Sequence, residues 1–237
     1  MGGGSRRLVL GALAAWVVCA AAGAAASAPT PLGRTDFRAA ERRLAELGYW
    51  AGPADGNFDE ASRHALVAFQ KVEGRRPTGR LTRDDLRALL AAAPPIPLEP
   101  SPPHFEVDLA RQVLFFVSEG RVSHVLPISS GSGKAFAHRG WGRGDALTPC
   151  GRFTVYQRIA GWHKSPLGAM HNPLYLVGGV AIHGSADVPP RPASHGCIRV
   201  PLFASRRLPS LIPRDMPVLV HGCPPEPTTT VAAAGGR

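Results

Sequence analysis

The chain is poor in cysteine: it has four in 237 residues, and no Cys-x-x-Cys pair among them. A structural zinc site needs four ligands, usually paired at short spacing, so this scarcity speaks against one. Cys197 has His183, His195 and His221 as conceivable co-ligands, but His195-Gly196-Cys197 is tight for two ligands on one ion, and no metal site is expected. The sequence also lacks any basic run interleaved with aromatics, which speaks against a nucleic-acid partner. Acidic residues are few, 17 against 27 Lys and Arg, for a formal charge of +10.

Charge is absent altogether from residues 8–33. A basic start, "SRRLVL", leads into an Ala-rich apolar run ending in small residues. This is the pattern of a secretory signal over 1–28, cut near Ala26 or Ala28, and Arg6-Arg7 is compatible with twin-arginine export. An uncleaved membrane anchor is the alternative. Either way the rest of the chain is expected outside the cytoplasm, in the periplasm or cell wall. Cys19 fills the apolar segment. Without Arg6 and Arg7, 25 basic and 17 acidic residues leave +8. Residues 35–92 carry +1 and residues 104–223 carry +7. A basic exported domain suits an anionic partner such as cell-wall polymer.

Six prolines in "PPIPLEPSPP", residues 94–103, preclude sheet pairing and helix. They predict an extended linker over 93–103, about 30 Å long at about 3.1 Å per residue. Before it, residues 35–92 have helical periodicity. Phe37, Ala40, Leu44 and Leu47 share one face, ended by Gly48. Asp59 is placed to cap a helix carrying Ala61, Ala65, Phe69 and Val72. Thr82 and Asp85 form a capping-box pattern before Leu86, Leu89 and Leu90. The expectation is a small all-α three-helix module with a marginal core. After the linker, 104–223 is strand-like: "HFEVDL", "VLFFVS", "RVSHVLPI", "RFTVYQ", "LYLVGGVAIH" and "MPVLVH" are short β-branched and aromatic runs. Residues 129–150 are Gly-rich and aperiodic and predict loop, with helix confined to about 202–208. The tail, 224–237, has no periodicity and predicts disorder.

"RPASHGCIRV", residues 191–200, concentrates the chemistry. A thiol with a pKa of roughly 8.5 must lose its proton to attack a carbonyl. A nearby imidazole can take that proton, and backbone N–H groups around Gly196 can hold an oxyanion. His183 and His195 are both candidate bases, and spacing alone does not choose between them. Three cysteines remain beyond Cys19, and an odd count leaves at least one thiol free.

Two resemblances bear on these residues. "LGYW", "DGNFDEAS", "AFQ" and "TGRLT" occur in the order of a three-helix peptidoglycan-binding domain, which implies binding to cell-wall glycopeptide. "AIHGS" followed by "SHGCIRV", with "FEVDLARQVLFFVSEGRVSHVLPISSG" and "TPCGRF" upstream, resembles the L,D-transpeptidase catalytic domain from about 104 to 221. That resemblance implies a mostly-β, sandwich-like domain with a cysteine in a cleft under a flexible loop. It makes Cys197 the nucleophile and His183 the general base, its tautomer held by the Gly184 carbonyl. The N–H groups of His195, Gly196 and Cys197 become the oxyanion hole, and the His195 side chain a support for the turn. Arg199 is placed to meet a substrate carboxylate, Ser194 sits beside the substrate or bonds locally, and Trp162 and Met170 lie on a cleft-covering loop over 158–174. The implied activity is 3→3 cross-linking of peptidoglycan stem peptides through a thioester, in cell-wall biogenesis and the maintenance of cell shape, without metal or organic cofactor. An L,D-carboxypeptidase, a protein-to-wall anchoring enzyme and a non-catalytic wall-binding protein are the alternatives. If catalysis keeps Cys197 reduced, counting leaves Cys150–Cys223 as the one possible disulfide; two free buried thiols would be as ordinary.

Overall fold

The computed structural model describes residues 1–2, 31–139, 142–213 and 215–223. Apart from Met1 and Gly2, the expected signal segment and the expected tail over 224–237 lie outside the described residues. Among the described residues no helix is long and apolar enough to cross a membrane.

Three helices come first: α1 (Arg34–Glu46), α2 (Glu60–Val72) and α3 (Arg83–Ala91). Their ends follow from local chemistry. Gly48 N–H bonds the Ala45 carbonyl and Tyr49 N–H the Leu44 carbonyl, the crossed pair that closes a helix around a glycine. Asp59 caps α2 by accepting from Ser62 N–H at 2.9 Å, and Thr82 and Asp85 exchange capping bonds at the start of α3. Ala40, Leu44, Leu47, Ala65, Phe69 and Leu89 are buried. Leu90, expected on the apolar face of α3, is instead 53% exposed.

The second part holds two sheets. The first contains β1 (His104–Asp108), β2 (Val113–Ser118) and β3 (Arg121–Pro127). Next in sequence come an exposed hairpin, β4 (Ala135–His138) with β5 (Gly142–Asp145), and then β6 (Gly151–Phe153). The second sheet is built from β7 (Gln157–Arg158), β8 (Trp162–Ser165), β9 (Gly168–Val177), β10 (Val180–Ser185) and β11 (Ile198–Pro201). Two short helices, α4 (Leu202–Ser205) and α5 (Leu208–Leu211), lead to β12 (Val218–His221), which returns to the first sheet. The first sheet runs β3-β2-β1-β12-β6 and the second β11-β10-β9-β7, with β8 on β9. Phe105, Val107, Leu114, Val218 and Val220 of the first sheet pack against Leu174, Leu176, Ile182, Ile198 and Val200 of the second. The β4–β5 hairpin lies where aperiodicity predicted loop. Neither of its strands has a buried face, so no alternation of apolar residues marks it.

The Pro-rich segment does not hold the two parts apart. The helices share one core with the outer face of the first sheet: Leu44, Leu47, Tyr49, Leu66, Phe69 and Leu89 pack with Val113, Phe115, Val117 and Val125. Fewer than 60 residues of helix make a marginal core alone, and the sheet completes it. Gly48 and Val125 add backbone bonding, Val125 N–H to the Gly48 carbonyl at 2.8 Å. The linker is itself fastened, because the buried Glu106 carboxylate accepts from Leu98 and Glu99 N–H at 2.9 and 2.8 Å. At the far edge Cys150, just before β6, and Cys223, just after β12, form a disulfide with Cα atoms 6.0 Å apart. The two strands are paired neighbours, which brings these cysteines within bridging distance. Both are exposed.

Candidate active site

β10 and β11 run parallel, with Ile182 opposite Ile198 and His183 opposite Arg199. Side chains alternate faces along a strand. Ile182 and Ile198 point into the core, so His183 and Arg199, with Cys197 just before β11, share the opposite face. That face opens into a cleft of about 550 Å³, also lined by Leu147, Met170, Tyr175 and His195. Two glycines permit this geometry. Gly196 has φ +133°, a conformation open almost only to glycine. A side chain at Gly184 would begin 2.2 Å from Ser205 Oγ, so its absence lets α4 lie against β10.

The turn that carries Cys197 is held from three sides. Ser194 Oγ accepts from Gly196 N–H at 3.0 Å and donates to the Cys197 carbonyl at 2.5 Å. Ser130 O accepts from both Ala193 and Ser194 N–H, and Ser129 exchanges both backbone bonds with Arg199. Thr148 Oγ1 accepts from Gly131 N–H at 2.9 Å and donates to the Gly196 carbonyl at 2.7 Å. Gly196 N–H is thus engaged with Ser194 and does not face an oxyanion, contrary to expectation. The N–H groups of His195 and Cys197 are left as the candidate donors to an oxyanion.

His183 is 5% exposed. Its Nδ1 lies 2.9 Å from the Gly184 carbonyl, so Nδ1 carries the proton and Nε2 is left free to accept one. Burial, reinforced by Arg199, pulls its pKa down to about 4 against the pull of Gly184 O. Burial also pushes the Cys197 thiol up, offset in part by the Ala181 N–H and Arg199. With the imidazole favoured neutral and the thiol pushed up, any attack by Cys197 would have to be coupled to loss of the thiol proton.

The other expected residues are placed variously. The His195 side chain is exposed, edge-on to Phe136 at 5.2 Å; it lines the cleft rather than supporting the turn. Arg199 pairs with the exposed Asp187 at 3.2 Å and stays at the cleft wall. Ser194 serves the turn. Met170 is buried in the cleft lining. Trp162 is 61% exposed against His171, outside the cleft lining. The expected covering loop over 158–174 is largely a hairpin, β8 with β9, whose alternating exposure leaves no apolar face to read in sequence. Thr148 was not singled out; its mark is the "TP" of "TPCGRF", where a buried hydroxyl with two backbone partners is not visible from spacing. Among the described residues no group of three or more His, Cys, Asp or Glu is placed to hold a metal ion.

Residues 33–89 match a peptidoglycan binding domain. A crystal structure of the L,D-transpeptidase (residues 123–326) from Xylanimonas cellulosilytica is 36% identical, covering 82% of this chain and all of that one, with a TM-score of 0.76. The localization factor PodJL of Caulobacter vibrioides is 39% identical over 63 residues, and this chain spans 6% of its length. Residues 102–220 match the L,D-transpeptidase catalytic domain, YkuD, and the chain belongs to that family.

Proposed function

We propose that this protein is an exported L,D-transpeptidase that forms 3→3 cross-links between peptidoglycan stem peptides through a thioester on Cys197. One observation carries the reading: a buried, neutral His183, its Nδ1 tied to Gly184 O, shares a cleft wall with the one free cysteine of the described residues. Cys197 Sγ attacks the carbonyl of the third, diamino-acid residue of a donor stem while His183 Nε2 takes the thiol proton. The oxyanion accepts from the N–H groups of His195 and Cys197. Collapse expels the terminal D-alanine, whose nitrogen receives the proton from His183. A side-chain amine of a neighbouring stem then attacks the thioester and gives its proton to His183, which returns it to the departing Cys197 sulfur, leaving the new amide and a free thiol. Arg199 and Met170 form the wall against which the stems lie, with Trp162 further out, and the helical module holds the enzyme on the wall polymer.

The test is incubation of purified protein with defined tetrapeptide muropeptides, with products read by mass. Cross-linked dimers are expected, absent in Cys197→Ala. Tripeptide alone would mean water as acceptor and a carboxypeptidase. Unchanged muropeptides would overturn the reading and favour a wall-binding protein without catalysis.

A further inference from the structure

We infer that Lys71, on a helix of the wall-binding module, is a positioning residue for the nucleophile turn of the catalytic domain. The inference rests on Cys197 being the nucleophile. Lys71 is 7% exposed, and its Nζ donates to the Gln112 and Ile128 carbonyls, both at 2.9 Å. No carboxylate pairs with it among the described residues. Burial alone pulls its pKa down to about 7. An uncompensated amine in an apolar helix–sheet interface is costly. An aliphatic residue would fill that place more cheaply, so the two carbonyls it grips give it a reason to be there.

Both carbonyls lead to Cys197. Gln112 has a left-handed backbone, φ +57°, and its side chain is fully engaged. Nε2 donates to Leu109 O and to Ser130 Oγ, both at 2.7 Å, and Oε1 accepts from Ser130 N–H at 2.9 Å. Ser130 O in turn holds the N–H groups of Ala193 and Ser194, and Ser194 Oγ ties Gly196 to Cys197. The second carbonyl, that of Ile128, adjoins Ser129, which exchanges both backbone bonds with Arg199 beyond the nucleophile. Residues 128–130 are thus a shelf bonded to the chain on both sides of Cys197. Lys71 is the group that reaches this shelf from the helical module. The run Lys71–Gln112–Ser130–Ser194–Cys197 is hydrogen-bonded at every step, and buried networks of this kind fix one geometry when all members are satisfied.

The experiment compares full-length wild type with Lys71→Met. Acylation of Cys197 by a carbapenem is followed by mass. Alkylation of Cys197 by iodoacetamide is followed by peptide mapping, alongside thermal melting and co-sedimentation with insoluble peptidoglycan. The expected result is a folded chain that still sediments with wall. Its limiting acylation rate falls about tenfold, since misplacement by about an ångström suffices for that. The half-saturating carbapenem concentration stays unchanged, and alkylation of Cys197 changes in rate. A folded Lys71→Met chain with wild-type acylation and alkylation overturns the inference, as does a loss confined to half-saturation. If Lys71→Met does not fold, Gln112→Glu is read by the same criteria, and unfolding of both overturns it, because the contacts would then serve stability alone. Wild type that carbapenem does not acylate refutes the transpeptidase reading instead; the iodoacetamide rates, which need no enzymatic assignment, then decide the inference.

Discussion

Replacing Thr148 with valine isolates one support of the turn that carries Cys197. The two side chains have nearly the same shape, so the substitution removes a hydroxyl and little else. That hydroxyl accepts from Gly131 N–H at 2.9 Å and donates to the Gly196 carbonyl at 2.7 Å, and Thr148 is 8% exposed. Valine leaves both backbone groups without their partner. A buried polar group stripped of its bond costs about 1–3 kcal/mol. Gly196 is buried and bears that cost in full, whereas Gly131 is half-buried and water reaches it in part. Together they amount to about 2–4 kcal/mol. Thr148→Val is therefore expected to lower the unfolding free energy by that amount, read as a lower urea midpoint at unchanged slope. It is also expected to slow carbapenem acylation of Cys197 by about tenfold to a hundredfold, as the turn loses one anchor. Thr148→Ser keeps the hydroxyl and should retain most of both. A valine variant within about 0.5 kcal/mol of wild type and acylating normally would refute the claim that Thr148 holds the turn.

Two further outcomes follow from other parts of the molecule. Replacing Cys150 and Cys223 by serine opens a loop whose ends are 73 residues apart and should cost about 4 kcal/mol by the chain-entropy relation; alkylation of unreduced, denatured protein at both positions would contradict the bridge. His183 has a folded pKa of about 4, below its ordinary 6.5, so the unfolded chain binds more protons between those values. Its contribution is complete above about pH 6.5 and lost as pH falls to about 4, about 3 kcal/mol in all. The difference in urea midpoint between wild type and His183→Gln, followed from pH 7 to 4.5, measures it, and a difference independent of pH would refute it.

Much of the architecture was legible because its signals are local. Helix caps at Gly48, Asp59 and Thr82 depend on residues three to four apart, and all three serve as expected. The strands with one buried face were found by composition, whereas β4 and β5, exposed on both sides, offered no pattern to find. The same distinction holds in the site. Cys197 and His183 could be named as candidates only through the family resemblance, and the faces of β10 and β11 bring them to one cleft wall. The bonds of Thr148 to Gly131 and Gly196 span 17 and 48 residues of sequence, and no periodicity encodes them.

The joining of the two parts did leave a trace. In "VLFFV", residues 113–117, every side chain is apolar, with no polar alternation. A strand facing water on one side alternates, whereas one covered on both sides reads as a continuous apolar run. Val113, Phe115 and Val117 face the helices, while Leu114 faces the second sheet. The run therefore required a cover for its outer face, and the helical module is the only part of the described chain outside the sheets that is large enough to supply one. The Pro-rich segment, with its extended-linker composition, carries no sign of this contact. A stiff connection pinned at Leu98 and Glu99 by Glu106 serves equally to hold a module against a sheet. The apolar faces on either side of a linker, rather than the composition of the linker, decide whether two domains pack.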